Sequence, residues 1–156
     1  METRRRTVDT VQLLSTYREL LPQVDTLPLL VSGSSMSPFL VHGRDTVHLS
    51  AVRRPLKVGD IVLYQRDSGA YILHRICALE GNDRFTIVGD AQTVREPHIR
   101  RNQIFGLVVR VERKGKVQAP GSFWWEFFEK VWVRMVPVRP LVHRSYAALS
   151  RILRRK

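Results

Sequence analysis

The sequence predicts a mainly β, α+β domain with a helix at its N-terminal end and a basic, aromatic helical tail at its C-terminal end. Three observations carry that reading. From 27 to 111 the chain runs as short apolar stretches separated by turn-forming residues, the pattern of strands in a sheet. Ahead of them, Val8, Val11, Leu14, Tyr17 and Leu21 recur at close to helical spacing. Behind them, Pro120-Gly121 marks a break, after which aromatic and apolar residues return at helical spacing among arginines.

Taken in order, Thr7 is the expected cap of the first helix and Pro22 its stop, and the helix would cover one edge of the domain. Strands are expected at 27–31, 45–49, 60–64, 71–77, 85–88 and 104–111. Asp67-Ser68-Gly69 and Gly81-Asn82-Asp83 offer residues that tolerate a left-handed backbone, so each reads as a hairpin connection. The antiparallel pairing of 60–64 with 71–77 follows from the first of them. In the tail, Ser122 is the expected cap of a helix carrying Phe123, Trp124, Phe127, Phe128, Val131 and Trp132. Pro137 and Pro140 interrupt it, and a last helix covers 141–153, ending in Arg154-Arg155-Lys156. The organisation is therefore 1–26 as helix and connector, 27–117 as the β domain and 118–156 as the tail. At 156 residues, 44% of them hydrophobic, the chain is long enough for one such domain with a genuine core.

The formal net charge is +12, and 21 of the 26 basic residues are arginine. A surplus of that size calls for an anionic partner: nucleic acid, an acidic membrane face or an acidic protein. No basic-aromatic pattern of an RNA-binding sheet is present, so nucleic acid is the least favoured of the three. Half of the net charge and all three tryptophans fall in 120–156. Arginine and tryptophan on amphipathic helices suit peripheral membrane contact, and ordinary packing on the β domain accounts for them equally well. Cys77 stands alone, which excludes an internal disulfide and a cysteine-based metal site and favours a reducing compartment. No window holds the eighteen consecutive apolar residues of a membrane span, and Arg4-Arg5-Arg6 is not followed by a signal-peptide core. The expected location is cytoplasmic, with the inner membrane face as a peripheral station.

The chemistry-bearing stretch is Ser32-Gly33-Ser34-Ser35-Met36-Ser37-Pro38. An apolar strand delivers a turn of small residues that leaves a serine accessible. A serine hydroxyl is a poor nucleophile unless a base takes its proton, and that base needs a group to hold it. Among the five histidines, His42 and His98 read as loop residues, His143 lies in the tail and His48 flanks a short alternating strand. His74 lies between Ile72 and Ile76 in an apolar strand, which makes it the candidate base. Asp90, after the strand ending Ile87-Val88, and Glu96, six residues on, are alternative acceptors for its second ring nitrogen.

Ser35-Met36-Ser37-Pro38, Gly59-Asp60-Ile61-Val62, Leu73-His74-Arg75-Ile76 and Gly89-Asp90-Ala91 resemble, in order and approximate spacing, the sequence boxes of type I signal peptidases. The wider clan of that family includes LexA-like self-cleaving proteins, and the resemblance covers about residues 27 to 113. It implies a β-rich peptidase fold, Ser35 as nucleophile and His74 as general base, in the manner of the serine–histidine type. It implies either Asp90 or Glu96 as third member, cleavage after small side chains, and no metal or cofactor. The family's oxyanion-hole serine two residues before the nucleophile is replaced by Gly33, leaving the Ser35 backbone N–H, with Ser34 as a helper. The family's N-terminal membrane anchor is missing, and the Trp/Arg tail is not a family box.

The leading expectation is thus a serine endopeptidase acting on a peptide or precursor protein bound as an extended strand. A LexA-like self-cleaving regulator is weaker: residues 1–34 hold no alanine, no Ala-Gly or Cys-Gly pair, and no room for a DNA-binding domain. The alternative is a non-catalytic basic module on the same fold, docking acidic membrane, nucleic acid or a partner protein.

Overall fold

The computed structural model describes residues 2–153, with side chains described over 10–152. Arg154-Arg155-Lys156 and the side chains of Arg4, Arg5, Arg6, Thr7 and Val8 lie outside the described residues. The first helix, α1 (Glu2–Leu20), continues into a 3-10 turn (Leu21–Gln23). It begins well before Thr7, which is therefore an interior residue and not a cap. Nothing between 2 and 6 breaks a helix, and glutamate and arginine favour one. Leu14 and Leu21 are buried. The Tyr17 hydroxyl donates to the Pro28 carbonyl at 2.6 Å, and Arg18 donates to Gln65 Oε1 and the Asn102 carbonyl while lying over the Phe105 ring.

Eight strands form one antiparallel sheet: β1 (Leu27–Leu30), β2 (Asp45–Ser50), β3 (Ile61–Gln65), β4 (Tyr71–Gly81), β5 (Arg84–Val88), β6 (Glu96–Arg100), β7 (Ile104–Arg113) and β8 (Lys116–Gln118). Their order is β1-β2-β7-β3-β4-β5-β6, with β8 on β7. The pairing of β3 with β4 is the expected one, from Ile61 opposite Arg75 to Gln65 opposite Tyr71. At the next hairpin Gly81, Asn82 and Asp83 all have positive φ (77°, 50° and 54°), as their identities suggested.

Two strands had not been expected. β6 contains Pro97, and Ile99 is its one buried residue, so it carries almost no apolar signal and survives as an edge strand. It also moves His98 from a loop into a strand. β8 is three residues long and largely exposed.

Strand alternation splits the apolar residues into two cores. Ile61 and Leu63 of β3 face the first, with Leu14, Leu21, Met36, Phe39, Leu40 and Val47. Val62 and Tyr64 face the second, with Ile76, Phe85, Ile87, Ile99 and Leu107.

The tail forms α2 (Phe123–Lys130), a 3-10 segment (Trp132–Val138) and α3 (Arg139–Leu153). Trp125, Phe128 and Trp132 belong to the first core, where Phe39 meets Trp125 edge-on at 5.9 Å. The first half of the tail is thus part of the domain's interior. Ser122 precedes α2, but its hydroxyl donates to the Ala119 carbonyl, so it does not cap the helix. Pro137 sits inside the 3-10 segment, while Pro140 lies in the first turn of α3, where a missing N–H costs nothing. Among the described residues no helix is long and apolar enough to cross a membrane.

Candidate functional site

Past the end of β1, Val31 still pairs with β2: its N–H donates to the Asp45 carbonyl at 2.9 Å. Gly33 then turns the chain with φ of 84°, a conformation that suits glycine, and donates its N–H to His42 Nδ1 at 3.0 Å. Met36, Phe39 and Leu40 plunge into the first core and fix the far side of the turn. Ser35 is left half-buried at its apex. Its carbonyl accepts the Ala91 N–H at 2.9 Å, tying the serine turn to the segment after β5. A side chain at Gly89 could not coexist with this approach, because a Cβ there would lie 2.5 Å from the Ser35 carbonyl oxygen.

His74 stands opposite Val62 on β4, 5% exposed, its ring centroid 6.4 Å from that of Tyr64. Ser35 and His74 line the same small cavity, about 130 Å³, with Val31, Ser32, Tyr71 and Leu73 among its walls. Among the described residues neither the Ser35 hydroxyl nor the imidazole is hydrogen-bonded. Burial, reinforced by the Arg66 guanidinium, pushes the imidazole down to about 4. The ring is therefore neutral at physiological pH and able to accept a proton. Ser34 is exposed and does not line this cavity, whereas Ser32 does.

The two carboxylates occupy different places. Asp90 is completely buried and gripped by Arg75, whose Nε and Nη2 each donate at 2.8 Å. Arg75 also donates to the Gly59 carbonyl at 2.7 Å and lies over the Phe39 ring. Neighbouring residues of a strand point to opposite faces, so this cluster lies across the sheet from His74. Glu96, on β6, accepts from the Tyr64 hydroxyl at 2.6 Å and from Arg66 Nε and Nη2 at 2.9 Å. Burial opposes its charge, yet these bonds outweigh burial and hold it below the usual carboxylate range. Burial, with Glu96 beside it, raises the Tyr64 phenol. Glu96 shares His74's face and Asp90 does not; neither is hydrogen-bonded to the imidazole.

Residues the sequence did not single out hold the segment 89–92. Trp132 Nε1 donates to the Asp90 carbonyl at 2.9 Å. Arg139, fully buried, donates through Nη1 to the Gly89 and Gln92 carbonyls and through Nη2 to the Trp132 carbonyl. The contacts to residues 89–92 span 42 to 50 residues of sequence, for which no local signal exists. The Gly59-Asp60 pair is likewise architectural: a Cβ on Gly59 would lie 2.4 Å from Glu129 Cγ, and Asp60 is chelated by Arg54.

Two larger chambers adjoin the central cavity. One, about 400 Å³, is apolar and shares its Val31, Ser32, Tyr71 and Leu73 walls, with Leu13 and Tyr17 of α1 on the far side. The other, about 500 Å³, begins at His74 and is bounded by Arg66, Arg95 and Glu96. Strand edges flank this cleft. Among the described residues β1 pairs with β2 alone, and residues 71–74 pair with β3 but not with β5, whose register starts at Arg75.

In comparisons with known proteins, no family model matches the chain and no curated protein matches it.

Proposed function

We propose that this protein is a serine endopeptidase in which Ser35 is the nucleophile and His74 the general base. The observation that carries the reading is that a half-buried serine and a neutral imidazole line one cavity between two strand edges, the imidazole without a hydrogen bond and the edges without a partner strand among the described residues. An extended peptide adds to such edges through its backbone, which fixes its position without demanding a particular sequence. The Ser35 oxygen attacks the scissile carbonyl carbon while His74 takes the hydroxyl proton. The tetrahedral intermediate collapses as His74 returns that proton to the leaving amine, and water repeats the sequence on the acyl-enzyme. The Ser35 backbone N–H is the donor assigned to the oxyanion. With Asp90 committed to Arg75 and Glu96 to Arg66 and Tyr64, the reading is a dyad, with Glu96 and, more weakly, Asp90 acting on the imidazole through their charge.

The experiment is labelling of the full chain by a fluorophosphonate probe, read by mass spectrometry. Wild type is expected to be modified at Ser35, and Ser35→Ala and His74→Ala are expected to lose the label while keeping their circular dichroism. An inert Ser35 in folded protein, in the presence and absence of lipid vesicles, would replace this reading with the non-catalytic basic module.

A further inference from the structure

Resting on the peptidase reading, we propose that the chamber beyond His74 selects substrates carrying a carboxylate just after the scissile bond. The imidazole hands its proton to the leaving amine, so it stands on the leaving-group side of the cut. The chamber that begins at His74 and lacks Ser35 therefore receives the C-terminal part of the substrate, and the apolar chamber receives the N-terminal part. The two differ sharply in chemistry. Leu13, Leu14, Leu29, Val31 and Leu73 line the apolar chamber, and among the described residues no charged side chain does. Arg66 and Arg95 line the chamber at His74, where Glu96 is spent on Arg66. Arg95 is exposed and has no ion-pair or hydrogen-bond partner among the described residues. A guanidinium with all its donors free binds a carboxylate in a fork.

The test uses peptides with a constant apolar half ending in alanine, followed by Asp-Asp, Ala-Ala or Lys-Lys, each as free acid and as amide. Binding to the Ser35→Ala protein is read by fluorescence anisotropy, and cleavage by wild type is read by mass spectrometry. The Asp-Asp peptide is expected to bind about fivefold better than Ala-Ala, the weight of one exposed ion pair. Arg95→Glu is expected to reverse the order in favour of Lys-Lys. A preference that follows the free acid over the amide, whatever the side chains, assigns the chamber to the substrate's C-terminus. Equal binding across the series, or a preference unchanged in Arg95→Glu, overturns the inference. Charge-dependent binding without cleavage upholds the chamber and removes the peptidase; cleavage indifferent to charge does the reverse.

A second observation is independent of the first. Beyond Arg139, no described residue of α3 is buried, and Leu141, Tyr146, Leu149 and Ile152 are 62%, 75%, 56% and 63% exposed. At 100° per residue they form one stripe with Val142, while Arg144 and Arg151 fall on the opposite side. The sequence holds eight basic residues and no acidic one after Glu129. A helix of 15 residues is marginal alone in water and needs a surface for its apolar stripe. We infer that the surface is an anionic bilayer. A second copy would bring a like-charged helix against this one, and a polyanion in water would leave the stripe uncovered. The full chain is expected to sediment with phosphatidylglycerol-containing vesicles and not with pure phosphatidylcholine. The Leu149→Glu/Ile152→Glu variant, with unchanged circular dichroism, is expected to lose about tenfold or more in partitioning. Equal partitioning of variant and wild type, no sedimentation, or a dimer in light scattering that the variant dissociates would each overturn it.

Discussion

His74 and Arg75 are neighbours on β4, and they live in opposite conditions. Arg75 points into the first core with its guanidinium bonded to Asp90 and Gly59 and stacked on Phe39. His74 points the other way, equally buried, with no hydrogen bond among the described residues and a neutral ring. One face of the strand is a clamp whose polar groups are satisfied; the other carries a group left chemically available. The histidine shares none of the clamp's hydrogen bonds. It follows that the acidic residue of the Gly89-Asp90 pair serves the site chiefly by holding the strand, while the charges of Arg66 and Glu96, and more weakly that of Asp90, act on the imidazole.

The largest expected effect breaks the clamp. Arg75→Met leaves the Asp90 carboxylate buried without its partner and is expected to cost about 3–5 kcal/mol in urea unfolding at pH 7. His74→Phe, which fills the same volume on the other face, is expected to stay within about 1.5 kcal/mol. Similar losses from both would erase the contrast.

Acid sharpens the difference. The folded-state imidazole titrates at about 4 and the unfolded one near 6.5. As pH falls through that window the unfolded chain takes up a proton that the folded one resists. His74's contribution to stability is thus complete above about 6.5 and declines by about 3 kcal/mol towards pH 4. Denaturation midpoints of wild type are expected to fall across that window more steeply than those of His74→Phe. If His74 is the base, the acid limb of kcat/KM lies near 4, well below the ordinary imidazole range.

Two smaller perturbations probe the frame and the tuning. Gly89→Ala sets a Cβ against the Ser35 carbonyl and is expected to cost about 1–3 kcal/mol and to slow probe labelling, as read by denaturation and labelling rate. Glu96→Gln removes a partly exposed ion pair, so its effect on stability is expected to be under about 1 kcal/mol. It also removes a negative charge that favours the imidazolium, so the His74 value is expected to fall further, by NMR titration of its ring protons.

The strands with apolar alternation were legible in the sequence, as were both hairpins, because their signals are local. β6 was not, since Pro97 and its exposed charges suppress the pattern, nor was the true start of α1. Ser35 and His74 could be named from residue type and setting, and the fold brings them to one cavity. The partners of Asp90 and Glu96 could not, because an acid's claim on a histidine competes with every arginine the fold brings near. Sequence spacing is blind to that competition. The tail was half legible: its aromatic periodicity foretold helices, and nothing in it foretold that Trp132 and Arg139 reach back to residues 89–92.

That reach has a bearing on biosynthesis. Chains leave the ribosome N-terminus first, so Ser35, β4 and the loop after β5 exist before Trp132 and Arg139 do. The serine turn leans on Ala91, and Ala91 sits in the stretch those two late residues bolt down. A partly translated chain holds every residue proposed for catalysis without the fastening that aligns them. On the proposed reading, the site is fully fastened only once Trp132 and Arg139 have been made and folded.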